Sequence, residues 1–214
     1  MTAEARPGWD VHLPAPPGPP LGATLPAALA AHFETAPGRP LLWEERRGWV
    51  TAGDLDRASR QVAARLAGAG LRPGDRILMS AGTSVELVEA HVAALRLGLV
   101  VVPANTAYRE REIAHLVGDA GPRAAVVDDP DRAAWIRRAN PEVLVVGPDV
   151  DVAPGGPAPA LDAVRPEDPA ILGYTSGTTG TPKGAVLSHG NLLASSESVR
   201  LAWRWTGDDR LVLA

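Results

Sequence analysis

The chain has 214 residues, 45% of them hydrophobic and 21% charged, with a formal net charge of −4. That length supports one sizeable core, and the charge argues against bulk attraction to nucleic acid or an anionic membrane. With no cysteine and no apolar leader or long apolar run, the composition excludes disulfides and thiolate metal sites and points to a soluble, cytoplasmic protein with no membrane segment.

Residues 1–20 hold six of the 21 prolines. Such a stretch neither runs a helix nor supplies many ladder donors, so residues 1–24 read as a proline-rich disordered tail. Thr24 then caps a helix with Pro26 in its first turn and Leu25, Leu29 and Phe33 at helical spacing. Leu41–Glu44 and Gly48–Thr51 read as a small hairpin. Thr51 opens a second helix with the stripe Leu55, Ala58, Val62 and Leu66, closed by Gly70. The turn Arg72-Pro73-Gly74-Asp75 leads into strand Ile77–Met79.

Thr83 and Glu86 have the spacing of a capping box. The helix they open carries Leu87, Val88, His91, Val92 and Leu95 and closes at Gly98. Strand Leu99–Val102, a helix near Glu110–Val117, strand Ala124–Val127, helix Asp131–Ala139 and strand Val143–Val146 follow. These strands are continuous apolar runs, which need cover on both faces. The expected fold class is therefore α/β, a largely parallel sheet with flanking helices. Residues 148–169 hold six more prolines and read as a surface connection.

Strand Ala170–Tyr174 runs into Thr175-Ser176-Gly177-Thr178-Thr179-Gly180-Thr181-Pro182-Lys183-Gly184. Strand Ala185–Ser188 and a helix around Asn191–Leu201 come next. Glycines let backbone approach an anion closely, and successive N–H groups form a concave nest. The hydroxyls of Thr175, Ser176, Thr178, Thr179 and Thr181 add uncharged donors, and Lys183 adds one compact positive charge. Together they suit a polyphosphate, whereas a generic Gly/Ser/Thr cluster is a plain surface loop. The Walker pattern does not apply: Pro182 stands where its second glycine belongs, and Gly184 follows the lysine in place of a hydroxyl.

The run Tyr174–Gly184, YTSGTTGTPKG, resembles the phosphate-loop signature of the adenylate-forming (AMP-binding) superfamily, which includes acyl-CoA synthetases, peptide-synthetase adenylation domains and luciferases. Gly70–Arg76 and Leu97–Pro103 are similar to further family segments. Asn105–Tyr108 with Glu112–His115 look most like the acyl-CoA synthetase branch, malonyl- and fatty-acyl-CoA synthetases in particular. The resemblance spans residues 25–214 and implies the N-terminal domain of such an enzyme. It implies a carboxylate attacking the α-phosphate of ATP, with Mg2+, to give acyl-adenylate and pyrophosphate, then thioester formation with coenzyme A. Thr175, Ser176, Gly177, Thr178, Thr179, Gly180 and Lys183 would hold the β- and γ-phosphates on a mobile loop that orders with nucleotide. A donor of this kind is typically worth ~10²–10³ in rate.

The family's later motifs, including its distal catalytic lysine, do not occur in this sequence, and Lys183 is the only lysine. Leu211-Val212-Leu213 reads as a strand cut off without a cap, so the expectation is a truncated chain, inactive in adenylation on its own. A non-catalytic nucleotide-binding remnant and an amino-acid adenylation fragment are the alternatives. His12, His32, His91, His115 and His189 lack metal-ligand spacing, so no metal site is expected. His91 and His115 read as packing or surface residues and His189 as structural. Trp203 and Trp205 read as packing at a helix end, and Asp208-Asp209 as a turn.

Overall fold

The structure, a computed structural model, describes residues 23–153, 155, 159–175 and 182–212. Thr24 accepts from the Ala27 N–H, caps α1 (Leu25–Thr35) and is buried. The hairpin pairs β1 (Pro40–Glu44) with β2 (Gly48–Thr51), and Thr51 and Asp54 form the capping box of α2 (Ala52–Gly68). Then come β3 (Arg76–Ser80), α3 (Val85–Arg96), β4 (Val100–Pro103), α4 (Glu110–Ala120), β5 (Ala124–Val127), α5 (Pro130–Ala139) and β6 (Leu144–Val146). The chain continues with β7 (Pro169–Thr175), β8 (Lys183–Ser188) and α6 (His189–Ala202).

Six strands form one sheet in the order β6-β5-β3-β4-β7-β8. All neighbours are parallel except β7 and β8, which are antiparallel. Side chains alternate along a strand, and the core divides accordingly. Ile77, Met79, Val101, Ala124 and Val126 face α2 and α3 through Val62, Leu66, Ala90 and Ala93. Leu78, Val102, Ala125 and Val127 face α4 and α5 through Ile113, Leu116 and Ile136. A third cluster, with Phe33, Val50, Leu55 and Val92, fixes α1 and the hairpin outside α2 and α3. Gly98, after α3, has φ +78, and a Cβ there would lie 3.0 Å from Val164 Cγ1. Both facts reserve the position for glycine.

Three expectations are corrected. The cap of α3 is Ser84, whose hydroxyl accepts from the Leu87 N–H at 3.1 Å. Thr83 stays outside the helix, and Glu86 is drawn to Arg47 at 3.2 Å instead of folding back. In the connection over 148–169, Val150 is fully buried against the sheet. Asp162 within it accepts from Nε and Nη2 of the Arg96 guanidinium, most closely at 3.0 and 2.9 Å. Arg96 is 1% exposed, also reaches Asp56 at 2.7 Å and Ser59 at 2.9 Å, and lies over the Phe33 ring. Burial opposes its charge, but hydrogen bonds to Asp162 and Asp56 hold its pKa above the ordinary arginine value. Finally, Leu211 and Val212 are not in a strand, and Val212 is 84% exposed.

Residues 1–22, with the proline-rich tail, lie outside the described residues. No helix among the described residues is long and apolar enough to cross a membrane.

Candidate functional site

β7 runs parallel to β4, so its C-terminal end emerges with the carboxyl ends of the parallel strands. Open α/β sheets bind ligands at that end. Thr175 is the last residue of β7 and Lys183 the first of β8, and the two are directly paired across the antiparallel ladder. Ser176, Gly177, Thr178, Thr179 and Gly180, the other expected phosphate contacts, lie outside the described residues. The fold therefore brings together the first and last members of the set, a hydroxyl and an exposed ammonium. Paired residues share one face of a sheet, so Thr175 and Lys183 project to the same side.

The opposite side of the same hairpin is fastened to α4. Tyr174 pairs with Gly184, and its ring joins the cluster beneath α4 and α5. Its hydroxyl donates to Asp119 Oδ2 at 2.5 Å. Burial, and then the hydrogen bond and charge of Asp119, push the Tyr174 phenol well above the usual tyrosine value. His115 meets the Tyr174 ring edge-on, with centroids 6.0 Å apart, and its Nε2 lies 3.2 Å from the Pro182 carbonyl oxygen. The sequence reading missed this use of Asp119 and His115. Their signal is the four-residue spacing, which puts both on one face of α4.

His189 opens α6 and is fully buried. Its N–H donates to the Asp168 carbonyl at 3.1 Å, while neither ring nitrogen has a hydrogen-bond partner among the described residues. Burial lowers the pKa of its imidazole, with the Asp168 carboxylate partly opposing. A neutral, packed ring agrees with a structural role. Trp203 and Trp205 meet edge-on with centroids 5.2 Å apart at the end of α6.

A concavity of about 440 Å³ lies at the same end of the sheet, between the ends of β3 and β5. It presents Glu86, Asp128 and Asp149 against one cation, Arg46. Asp128 accepts from the Gly82 N–H at 2.7 Å and from Arg132 at 2.5 Å; burial works to raise its carboxyl pKa, but these contacts hold it below the usual value. Glu86 and Asp128 are already paired with Arg47 and Arg132, which leaves, among the described residues, no lining cation but Arg46 to draw a polyphosphate, so the Thr175–Lys183 end is the better anion site. No cluster of three metal-ligating side chains occurs among the described residues.

Residues 29–214 match the family model described as AMP-binding enzyme. An L-proline--[L-prolyl-carrier protein] ligase of Pseudomonas fluorescens is 35% identical over 65% of the chain and 30% of its own length. A sulfoacetate--CoA ligase of Cupriavidus necator is 32% identical over 82% of the chain and 37% of its own length. Among solved structures, o-succinylbenzoate CoA synthetase (MenE) of Bacillus subtilis superposes with a TM-score of 0.77 at 27% identity, covering 88% of the chain and 38% of that protein. VinN in complex with L-aspartate gives 0.75 at 26% identity, covering 88% of the chain and 50% of that protein. The chain thus spans half or less of each of these proteins.

Proposed function

This chain belongs to the AMP-binding enzyme family, and from that premise we propose that the end of its β7–β8 hairpin holds the β- and γ-phosphates of ATP. The pairing of Thr175 with Lys183 at the carboxyl end of the parallel sheet carries the reading. A lysine ammonium is a compact charge that phosphate oxygens accept readily, and the threonine hydroxyl adds a neutral donor beside it. Ser176, Gly177, Thr178, Thr179 and Gly180 complete the set.

In a protein of the relatives' full length, the reaction is acid activation. A carboxylate oxygen attacks the α-phosphorus, the bond to the β-phosphate bridging oxygen breaks, and pyrophosphate leaves with that electron pair. A thiol then attacks the acyl carbon and AMP departs. The difficulty of the first step is an anion approaching an anion. Once ordered around the nucleotide, donors held on the departing pyrophosphate offset its growing charge. Mg2+ would enter with the nucleotide as MgATP and supply positive charge to its phosphates. We assign the thiol to coenzyme A, as the sulfoacetate--CoA ligase and MenE relatives favour. The prolyl-carrier ligase, at 35% identity, favours a second reading in which the acid is an amino acid and the thiol is carried by a protein.

Calorimetric titration of the chain with MgATP and with inorganic pyrophosphate tests the phosphate assignment. Lys183→Ala should weaken both at least about tenfold, the scale of a charge-assisted hydrogen bond. Equal affinity in that variant removes the phosphate role from Lys183.

A further inference from the structure

We propose that Asp119 and His115 are positioning residues for the phosphate site, holding the two limbs of the β7–β8 hairpin from α4 so that Thr175 and Lys183 stay opposite each other. This rests on the phosphate reading above. The geometry is specific to the two limbs. Asp119 takes the Tyr174 hydroxyl, one residue before Thr175. His115 takes the Pro182 carbonyl, one residue before Lys183. Each residue of the candidate anion pair therefore has a tethered neighbour, and both tethers come from one face of one helix.

The arrangement also separates anchoring from binding. Along β7, Tyr174 and Thr175 project to opposite faces. The anchored ring lies with Leu172 in the cluster beneath α4 and α5, leaving the Thr175–Lys183 face unencumbered by it. A two-residue hairpin would set its own strand register through its turn. Here seven residues, 176–182, separate the paired ends, and a connection of that length fixes register weakly. β8 gains little from burial, since Lys183–Leu187 are all exposed. The β7–β8 ladder sets Lys183 against Thr175, and the two tethers secure its loop end, where the pairing would otherwise open first. Binding a polyphosphate between unaligned donors would require ordering them first, and the tethers remove that cost.

The test uses the 214-residue chain with inorganic pyrophosphate and MgATP as probes. Tyr174→Phe removes one hydroxyl from a part-exposed side chain. Asp119→Ala removes its acceptor, and Asp119→Asn keeps an acceptor oxygen. His115→Ala removes the second tether, and His115→Gln keeps an Nε2 donor. We expect Tyr174→Phe, Asp119→Ala and His115→Ala each to weaken pyrophosphate about 3- to 10-fold, the range of one lost hydrogen bond. Tyr174→Phe combined with Asp119→Ala should be no worse than either alone, because both break the same bond. Asp119→Asn and His115→Gln should recover most of the affinity, a rescue that mere loss of packing would not give. Amide hydrogen exchange across 172–188 should quicken in the three weakened variants. Wild-type affinity in all three, while Lys183→Ala binds weakly, overturns the positioning role alone. Unchanged binding in Lys183→Ala, or none by the wild-type chain, overturns the phosphate reading and with it this role.

Discussion

The two sides of the sheet use similar side chains to different ends. β3, β4 and β5 are runs of Ile, Leu, Val and Ala closed on both faces by helices, and Ile77, Leu78, Val101, Val102 and Val126 are all fully buried. β8 is also Ala-Val-Leu, yet Val186 is 60% exposed and the strand is held by its ladder to β7. An apolar run makes a strand in both places, but only a helix on each face makes it core. The covered side supplies stability, and the open side carries the candidate site on a hairpin that depends on side-chain tethers. Function placed on the less stable element is a common division of labour.

That contrast can be broken most forcefully at Arg96. Arg96→Ala should cost about 3 kcal/mol in urea unfolding, because Asp56 and Asp162 lose a buried partner. A cost near zero would mean that the covered side does not depend on this network. The second test is pH. Burial lowers the pKa of His91 on α3 and of His189 on α6 below the ordinary 6.5. Their unfolded forms therefore bind more protons below that value. Stability from these groups is complete above about pH 6.5 and is lost as pH falls through their lowered folded values. The slope is at most about 1.4 kcal/mol per pH unit for each ring. His189→Leu should flatten the curve on the hairpin side, and an unchanged slope would place the effect elsewhere. The smallest effect belongs to the open strand: Val186→Thr should change stability by less than about 0.5 kcal/mol. A loss of 2 kcal/mol or more would show β8 to be as dependent on burial as β3.

Much of this architecture was legible from periodicity. Strand Ala124–Val127 falls where the apolar run predicted it, and Gly70 and Gly98 take positive φ after their helices. The AMP-binding signature led directly to the hairpin that pairs Thr175 with Lys183. What failed to show was whatever depended on distant partners. Thr83 and Ser84 are alike as cap residues, and the helix uses Ser84 while Glu86 pairs with the distant Arg47. Arg96 looks like an outward-facing charge at a helix end, and its ligand Asp162 is 66 residues away in a proline-rich stretch. The Leu211-Val212 run has strand composition but pairs with no strand among the described residues. Asp119 and His115 became meaningful only once α4 lay against β7.

One consequence concerns labelling chemistry. The chain has twenty arginines but a single lysine, and that lysine stands exposed at the start of β8. Acylating or reductively alkylating reagents therefore meet only one ε-amine, besides the α-amine. A fluorophore or isotope tag placed there reports on the hairpin with no background from other side-chain amines, and shielding by a bound nucleotide would appear as a single-site event.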